Sequence, residues 1–218
     1  MKDFSMMQTV AIWVLPVLFA ITVHEVAHGW VAKLRGDKTA MMMGRLTLNP
    51  IKHIDLIGTV ALPLVLLVLQ TGFVFGWAKP VPVTEQNLRN PKRDMVWVAL
   101  AGPLSNALMA LLWVGVMVIA MLFLHTLPWV AEPLIYMGQA GVLINVVLMV
   151  LNLVPLPPLD GGRIVTGLLP GPLSWQFSRI EPYGFVILLA LLATGLLGQL
   201  LGPLIFGISN TLLSLVGI

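Results

Sequence analysis

The sequence contains no cysteine and little charge: of its 218 residues, only 10% are Asp, Glu, Lys or Arg. Without cysteine, disulfides, thiolate zinc sites and cysteine nucleophiles are excluded, so any metal has to be held by histidine and carboxylate. So low a charge content, against roughly a quarter in soluble domains, argues against a water-soluble globule. The net charge of +3 is small; its placement carries more information than its size, and no nucleic-acid partner is expected. Also missing is any polar stretch long enough for a separate soluble domain, or an amino-terminal segment resembling a cleavable signal peptide. What is present is apolar: 58% of the chain is hydrophobic, and several runs approach or exceed the ~20 residues that cross a bilayer as a helix. The composition predicts an all-α polytopic membrane protein, a transmembrane helical bundle with the lipid bilayer as its solvent. One membrane domain is expected over residues 1–218, with no appended regulatory module.

The first apolar run, Val10 to Ala32, is followed at once by Lys33, Arg35 and Lys38, which places its carboxyl end in the cytoplasm. A polar stretch to Asp55 follows, within which Met41 to Asn49 reads as short strands or an irregular, β-like loop. The second run, Leu56 to Phe75, is interrupted by Pro63 and Gly72 and leads into a basic loop. The third, Met95 to Leu124, contains Gly102 and Pro103. A short loop without Lys or Arg precedes the fourth, Leu134 to Val154, which is ended by Pro155, Pro157 and Pro158. Tyr183 to Ile218 is long enough for two short crossings, broken near Gly198 to Pro203.

Within the first run stands His24-Glu25-Val26-Ala27-His28. Residues four apart lie on one face of a helix, so both imidazoles project together and can share one Zn²⁺, with the adjacent glutamate in reach of a water as general base. Ionisable side chains in an apolar membrane helix are costly and mark function by default. The alternative, a polar packing or proton-relay cluster, does not require this spacing.

Zinc needs a third protein ligand. His125 falls on the far side of the membrane by charge placement, and His53 reads as solvated or interfacial. Asp3, Asp37, Glu85, Glu132 and Glu181 sit in polar segments and read as solvated, whereas Asp55 and Asp94 border apolar runs and read as helix caps. Asp160 follows a proline-rich break that can fold back into the bundle, and Gly161 and Gly162 permit close backbone approach. It is the best third ligand, although Asp-Gly alone reads as a turn. Depth gives a further test. His24 lies nine residues before Lys33, about 13 Å from the cytoplasmic face. Asp160 must then enter from the cytoplasmic side, which puts the loop lacking Lys and Arg outside, as the charges demand. The second run then has basic loops at both ends and has to turn back as a re-entrant segment. Asn106 reads as packing glue in preference to support for the site.

His24-Glu25-x-x-His28, Ala101-Gly102-Pro103-Leu104-Ser105-Asn106 and Asn152-Leu-Val-Pro-Leu-Pro-Pro-Leu-Asp160-Gly-Gly together resemble the site-2 protease family of intramembrane metalloproteases (peptidase M50). The Phe75-to-Val83 loop is similar to a segment of many bacterial and archaeal members. The resemblance covers a catalytic core of about residues 10–163, leaving the helices of 183–218 without a usable motif. It implies one zinc ion held by His24, His28 and Asp160, with Glu25 activating water and Asn152 helping to hold the substrate backbone or the oxyanion. It further implies single-span transmembrane substrates, regulated intramembrane proteolysis and a prokaryotic plasma membrane, in a short form without PDZ or CBS domains. A catalytically silent membrane-protein binder and a metal or proton transporter are the alternatives.

Overall fold

A computed structural model describes residues 4–69 and 76–217. Among these residues there is no β-strand, and the α-helices are α1 (Met6–Leu34), α2 (Thr39–Met42), α3 (Leu62–Val68), α4 (Pro91–Leu122), α5 (Pro128–Asn152), α6 (Asp160–Leu168), α7 (Gly171–Ser178), α8 (Glu181–Ala193) and α9 (Leu196–Ser214). Helices α1, α4, α5 and α9 are long and apolar enough to cross a membrane, and α7 with α8, bent by 56°, adds a fifth span if counted as one. The chain is a multi-pass membrane protein.

The ends of these helices follow from local chemistry. Ser5 and Gln8 form a reciprocal capping box that starts α1 before the apolar run begins. Pro91 and Pro128 stand in the first turns of α4 and α5, where a missing N–H costs nothing. Asp55 caps as expected, accepting the backbone N–H groups of Ile57 and Gly58, whereas Asp94 lies inside the first turn of α4 and reaches back to accept the N–H of the N-cap residue Asn90 at 2.8 Å. Gly195 takes a left-handed conformation (φ 72°) and separates α8 from α9. The carboxyl-terminal break therefore falls earlier than expected, and Pro203 lies inside α9.

Helices α1, α4 and α5 pack on one another; α6 lies against α4 and α9 against α5. The α4–α5 seam is filled by Trp113, Val114, Met117, Val142, Val146 and Val150. Large apolar side chains such as Phe19, Trp30, Leu108, Leu111 and Ile119 point outward and are exposed, the arrangement expected where lipid is the solvent. Arg35 at the end of α1 pairs with Asp94 at the start of α4 at 3.3 Å, so these two antiparallel spans are pinned at one end.

The second apolar run turns back. A short π-helical segment, Leu56–Ala61, continues into α3. Trp77 is again beside its start: its N–H donates to Gly58 O at 3.1 Å, and Thr59 Oγ1 donates to Trp77 O at 2.8 Å. The excursion thus leaves and returns at the same level; Gly72 and Phe75 lie outside the described residues. Of the two readings of Met41 to Asn49, no strand forms among the described residues, and the irregular loop holds for residues 43–49. Met41 and Met42 end α2, and residues 45–49 have no regular secondary structure and no strand beside them to pair with.

Candidate metal centre

His24 and His28 lie one helical turn apart on the buried face of α1 and are 7% and 8% exposed. Asp160 reaches them from the first turn of α6. Its Oδ2 lies 3.3 Å from the Nε2 of each histidine, and the two Nε2 atoms are 3.1 Å apart. The far nitrogen of each ring is already engaged. His24 Nδ1 lies 2.6 Å from Asn106 Oδ1, and His28 Nδ1 lies 2.7 Å from the carbonyl oxygen of Val98, both on α4. Those acceptors place the ring protons on Nδ1, so two bare nitrogen lone pairs and a carboxylate oxygen converge. Oδ2 of Asp160 is buried and has no hydrogen-bond donor. Three electron-rich atoms in such proximity repel unless a cation lies among them, and two imidazoles with one carboxylate match the usual donor set of a catalytic zinc site. Within the described residues this is the one trio of His, Asp and Glu side chains close enough to share a metal ion. The residues present fit zinc.

Glu25 points elsewhere. Its Oε2 accepts the backbone N–H of Val81 at 2.8 Å, so the carboxylate is held beside the ligands without joining them. Val81 belongs to a strap with Pro80 and Pro82 on either side, and the strap is anchored throughout. Arg45 donates to Lys79 O at 2.9 Å, Lys79 N donates to His53 O at 2.9 Å, and Thr84 N donates to Asp37 Oδ2 at 2.7 Å. Asp37 is not solvated, as its polar surroundings suggested, but fully buried. Burial alone raises its pKa, yet the Thr39 hydroxyl, the Thr84 and Thr39 amides and the Asn87 side chain outweigh that and hold the carboxyl below its ordinary value. His53 is likewise buried, not solvated, with Nε2 bonded to Thr47 O at 2.9 Å. His125 is exposed in the loop after α4, remote in the fold from the metal centre.

Close packing puts Asp160 in place. A Cβ on Gly161 would lie 2.4 Å from the carbonyl oxygens of Leu153 and Val154, and one on Gly162 would lie 2.3 Å from Pro157 N. Only glycine lets α6 start against the backbone of the proline-rich break. Gly184 of α8 packs on Pro157 from the other side, where a Cβ would meet Pro157 O, so the carboxyl-terminal region buttresses the segment that carries the aspartate. Asp160 therefore opens a helix instead of closing a turn. Gly102 lets α4 approach the histidines: its Cβ would stand 2.5 Å from both His24 Cε1 and His28 Nε2.

Asn106, read from the sequence as packing glue, also contacts His24 directly. Asn145 was not singled out; it is fully buried and receives Asn106 Nδ2 at 2.9 Å. With Gln139 and Asn152 also polar in α5, no local pattern in the sequence singles it out. Asn152 ends α5 half-buried and donates through Nδ2 to Leu148 O at 2.9 Å.

Fold and centre define a multi-pass membrane protein with a buried candidate metal site of two histidines and an aspartate. The model of peptidase family M50 matches residues 119–193. "Putative zinc metalloprotease YwhC" of Bacillus subtilis (strain 168) is 37% identical over 205 residues, covering 93% of this chain and 89% of its own length. "Putative zinc metalloprotease Rip2" of Mycolicibacterium smegmatis (strain ATCC 700084 / mc(2)155) is 28% identical over 207 residues, with 92% and 76% covered. Its namesake in Mycobacterium tuberculosis (strain ATCC 25618 / H37Rv) is 26% identical over 201 residues, with 92% and 72% covered. No solved structure matches the chain with significance. The chain belongs to peptidase family M50, the site-2 protease family, and is a zinc metalloprotease of that type.

Proposed function

We propose that this chain is an intramembrane protease in which His24, His28 and Asp160 hold one zinc ion and Glu25 is the general base. The observation that carries the reading is the place of the centre. His24 lies ten residues inside the Leu34 end of α1, about 15 Å along the helix axis, in a bundle whose outer faces are apolar. A soluble substrate has no reason to reach that depth, whereas a single-span transmembrane protein already lies there. The end of the bundle nearer the centre carries Lys33, Arg35, Lys38, Arg89, Lys92 and Arg93, which marks it as the cytoplasmic face. With bacterial relatives, this favours a prokaryotic plasma membrane and a role in regulated intramembrane proteolysis.

A zinc ion bound there supplies the Lewis acid that polarises a peptide carbonyl and acidifies water. Glu25 takes the proton of the attacking water on a carboxylate oxygen and delivers it to the leaving amine. The Val81 N–H occupies Oε2 and fixes the rotamer, leaving the other oxygen to move the proton. The two histidines keep Nε2 turned towards Asp160 because their Nδ1 atoms are engaged by Asn106 and Val98 O of α4, so that Nε2 of each and Oδ2 of Asp160 would hold the ion. Asn152 holds the substrate backbone with the amide atoms left over by its bond to Leu148.

The test is Glu25→Gln in the full chain, purified in detergent and reconstituted with a membrane-embedded single-span reporter. The variant should keep its zinc and lose cleavage by at least about 100-fold, the lower end of the range for general acid–base catalysis. Cleavage at the unsubstituted rate sinks the mechanism.

A further inference from the structure

We propose that Asn145 and Asn106 form a directional hydrogen-bond relay that fixes the tautomer and ring orientation of His24, so that its Nε2 lone pair faces the metal. The inference rests on the zinc reading above and assigns positioning residues to it.

The direction follows from where the chain of bonds begins. Asn145 lies 2.8 Å from the carbonyl oxygen of Gly141, one turn back in α5. A backbone carbonyl only accepts, so the Asn145 atom facing it is Nδ2 and the atom facing α4 is Oδ1. That oxygen in turn only accepts, so the Asn106 atom 2.9 Å away is Nδ2. The same Nδ2 has a second carbonyl, Ala20 O of α1, at 3.3 Å, which again only accepts. Asn106 Oδ1 is thereby turned towards His24, and the Nδ1 found 2.6 Å from it has to be the protonated nitrogen. Nε2 is left bare. Flipping Asn145 sets two oxygens together at Gly141 and two N–H groups together at Asn106, and flipping Asn106 sets its oxygen against both Asn145 Oδ1 and Ala20 O. Both asparagines are 0% exposed, so no water repairs such a mismatch. His28 reaches the same state in one step, through Val98 O. The relay joins α5, α4 and α1, and its residues are separated by 39 and 82 positions.

Two asparagines between membrane helices also fit plain packing glue, and that role makes the opposite prediction. The experiment measures zinc affinity of the full chain in detergent by competition with a chelator. It compares the unsubstituted protein with Asn106→Leu, Asn145→Leu, Asn106→Asp and Asn145→Asp. Leucine keeps the bulk and removes the polarity. A buried, protonated aspartic acid keeps one donor and one acceptor in the same places. The relay predicts that each leucine variant binds zinc about 10–100-fold more weakly, the usual cost of losing an outer partner of a metal-bound histidine. Both aspartate variants should stay within a few-fold of the parent. Packing alone predicts the reverse order, with leucine tolerated and the buried acid harmful. Asn106→Ala and Asn145→Ala, which only truncate, repeat the comparison if leucine disturbs the helix contacts. The proposal is overturned if the leucine and alanine variants hold zinc as tightly as the parent, or if the aspartate variants fall with them. A parent that binds no zinc defeats the metal reading itself, whereas a zinc-binding parent with indifferent variants defeats the relay alone.

Discussion

Gly102→Ala places one methyl group into the contact between α4 and the two histidines. The added Cβ would stand 2.5 Å from His24 Cε1, 2.5 Å from His28 Nε2 and 2.6 Å from His28 Cε1. Carbon contacts are comfortable at ~3.5–4.0 Å, so rings and helix must separate by about 1 Å. The rings cannot yield freely, because their Nδ1 atoms are bonded to Asn106 and to Val98 O of that same α4. Either those bonds stretch or α4 lifts from α1, and overpacking of this kind costs about 1–3 kcal/mol. Metal–ligand distances tolerate only ~0.2 Å, and a displacement of about 1 Å at a catalytic site costs about 100-fold in rate. The assay is zinc affinity by chelator competition, together with cleavage of a membrane-embedded reporter. Gly115→Ala is the control, since the same helix has nothing within 4 Å of that Cβ and alanine favours a helix by about 1 kcal/mol over glycine. Gly102→Ala should lose at least about 100-fold in activity and bind zinc more weakly, while Gly115→Ala stays at the parent level. Equal zinc affinity and activity in the two variants would refute the reasoning.

Val81→Pro removes the N–H that holds Glu25 Oε2; cleavage should fall while zinc content stays at the parent level, and Val81→Ala, which keeps the N–H, should retain most activity in the same assay. Asp37→Ala leaves the amides of Thr39 and Thr84 without their acceptor and should cost about 1.5–3 kcal/mol, the worth of hydrogen bonds to a charged group, read as a lower unfolding temperature in detergent. Because the folded-state pKa of Asp37 is depressed, its contribution is present above the unfolded value of ~3.9 and is lost as pH falls through the folded value; the gap in unfolding temperature between parent and variant should narrow on that acid flank.

The three long spans that build the centre were legible because apolar runs and basic flanks are properties of single segments. The paired histidines were legible for the same reason: a spacing of four on a helix needs no knowledge of the rest of the fold. Even the return of the second run followed from depth and charge together. What was hidden depends on distant partners. Asp37 and His53 look solvated in sequence because the strap and loop that bury them lie tens of residues away. Asn145 carries no local pattern, and its meaning arises only where Asn106 meets it. Gly161 and Gly162 were legible as sites of close backbone approach, but not as the start of a helix pressed against the backbone of Leu153 to Pro157. The break at Gly195 was misplaced because Pro203 is the stronger local breaker, although a helix in a bundle accommodates a proline.

The central claim is that His24, His28 and Asp160 hold one catalytic zinc ion inside the membrane bundle. The most direct measurement is zinc per chain, by elemental analysis of the purified protein and of Asp160→Ala after equal dialysis against a weak chelator. The account predicts close to one zinc per chain in the parent and a marked loss in the variant, with cleavage lost in parallel. Undiminished zinc in Asp160→Ala would contradict it.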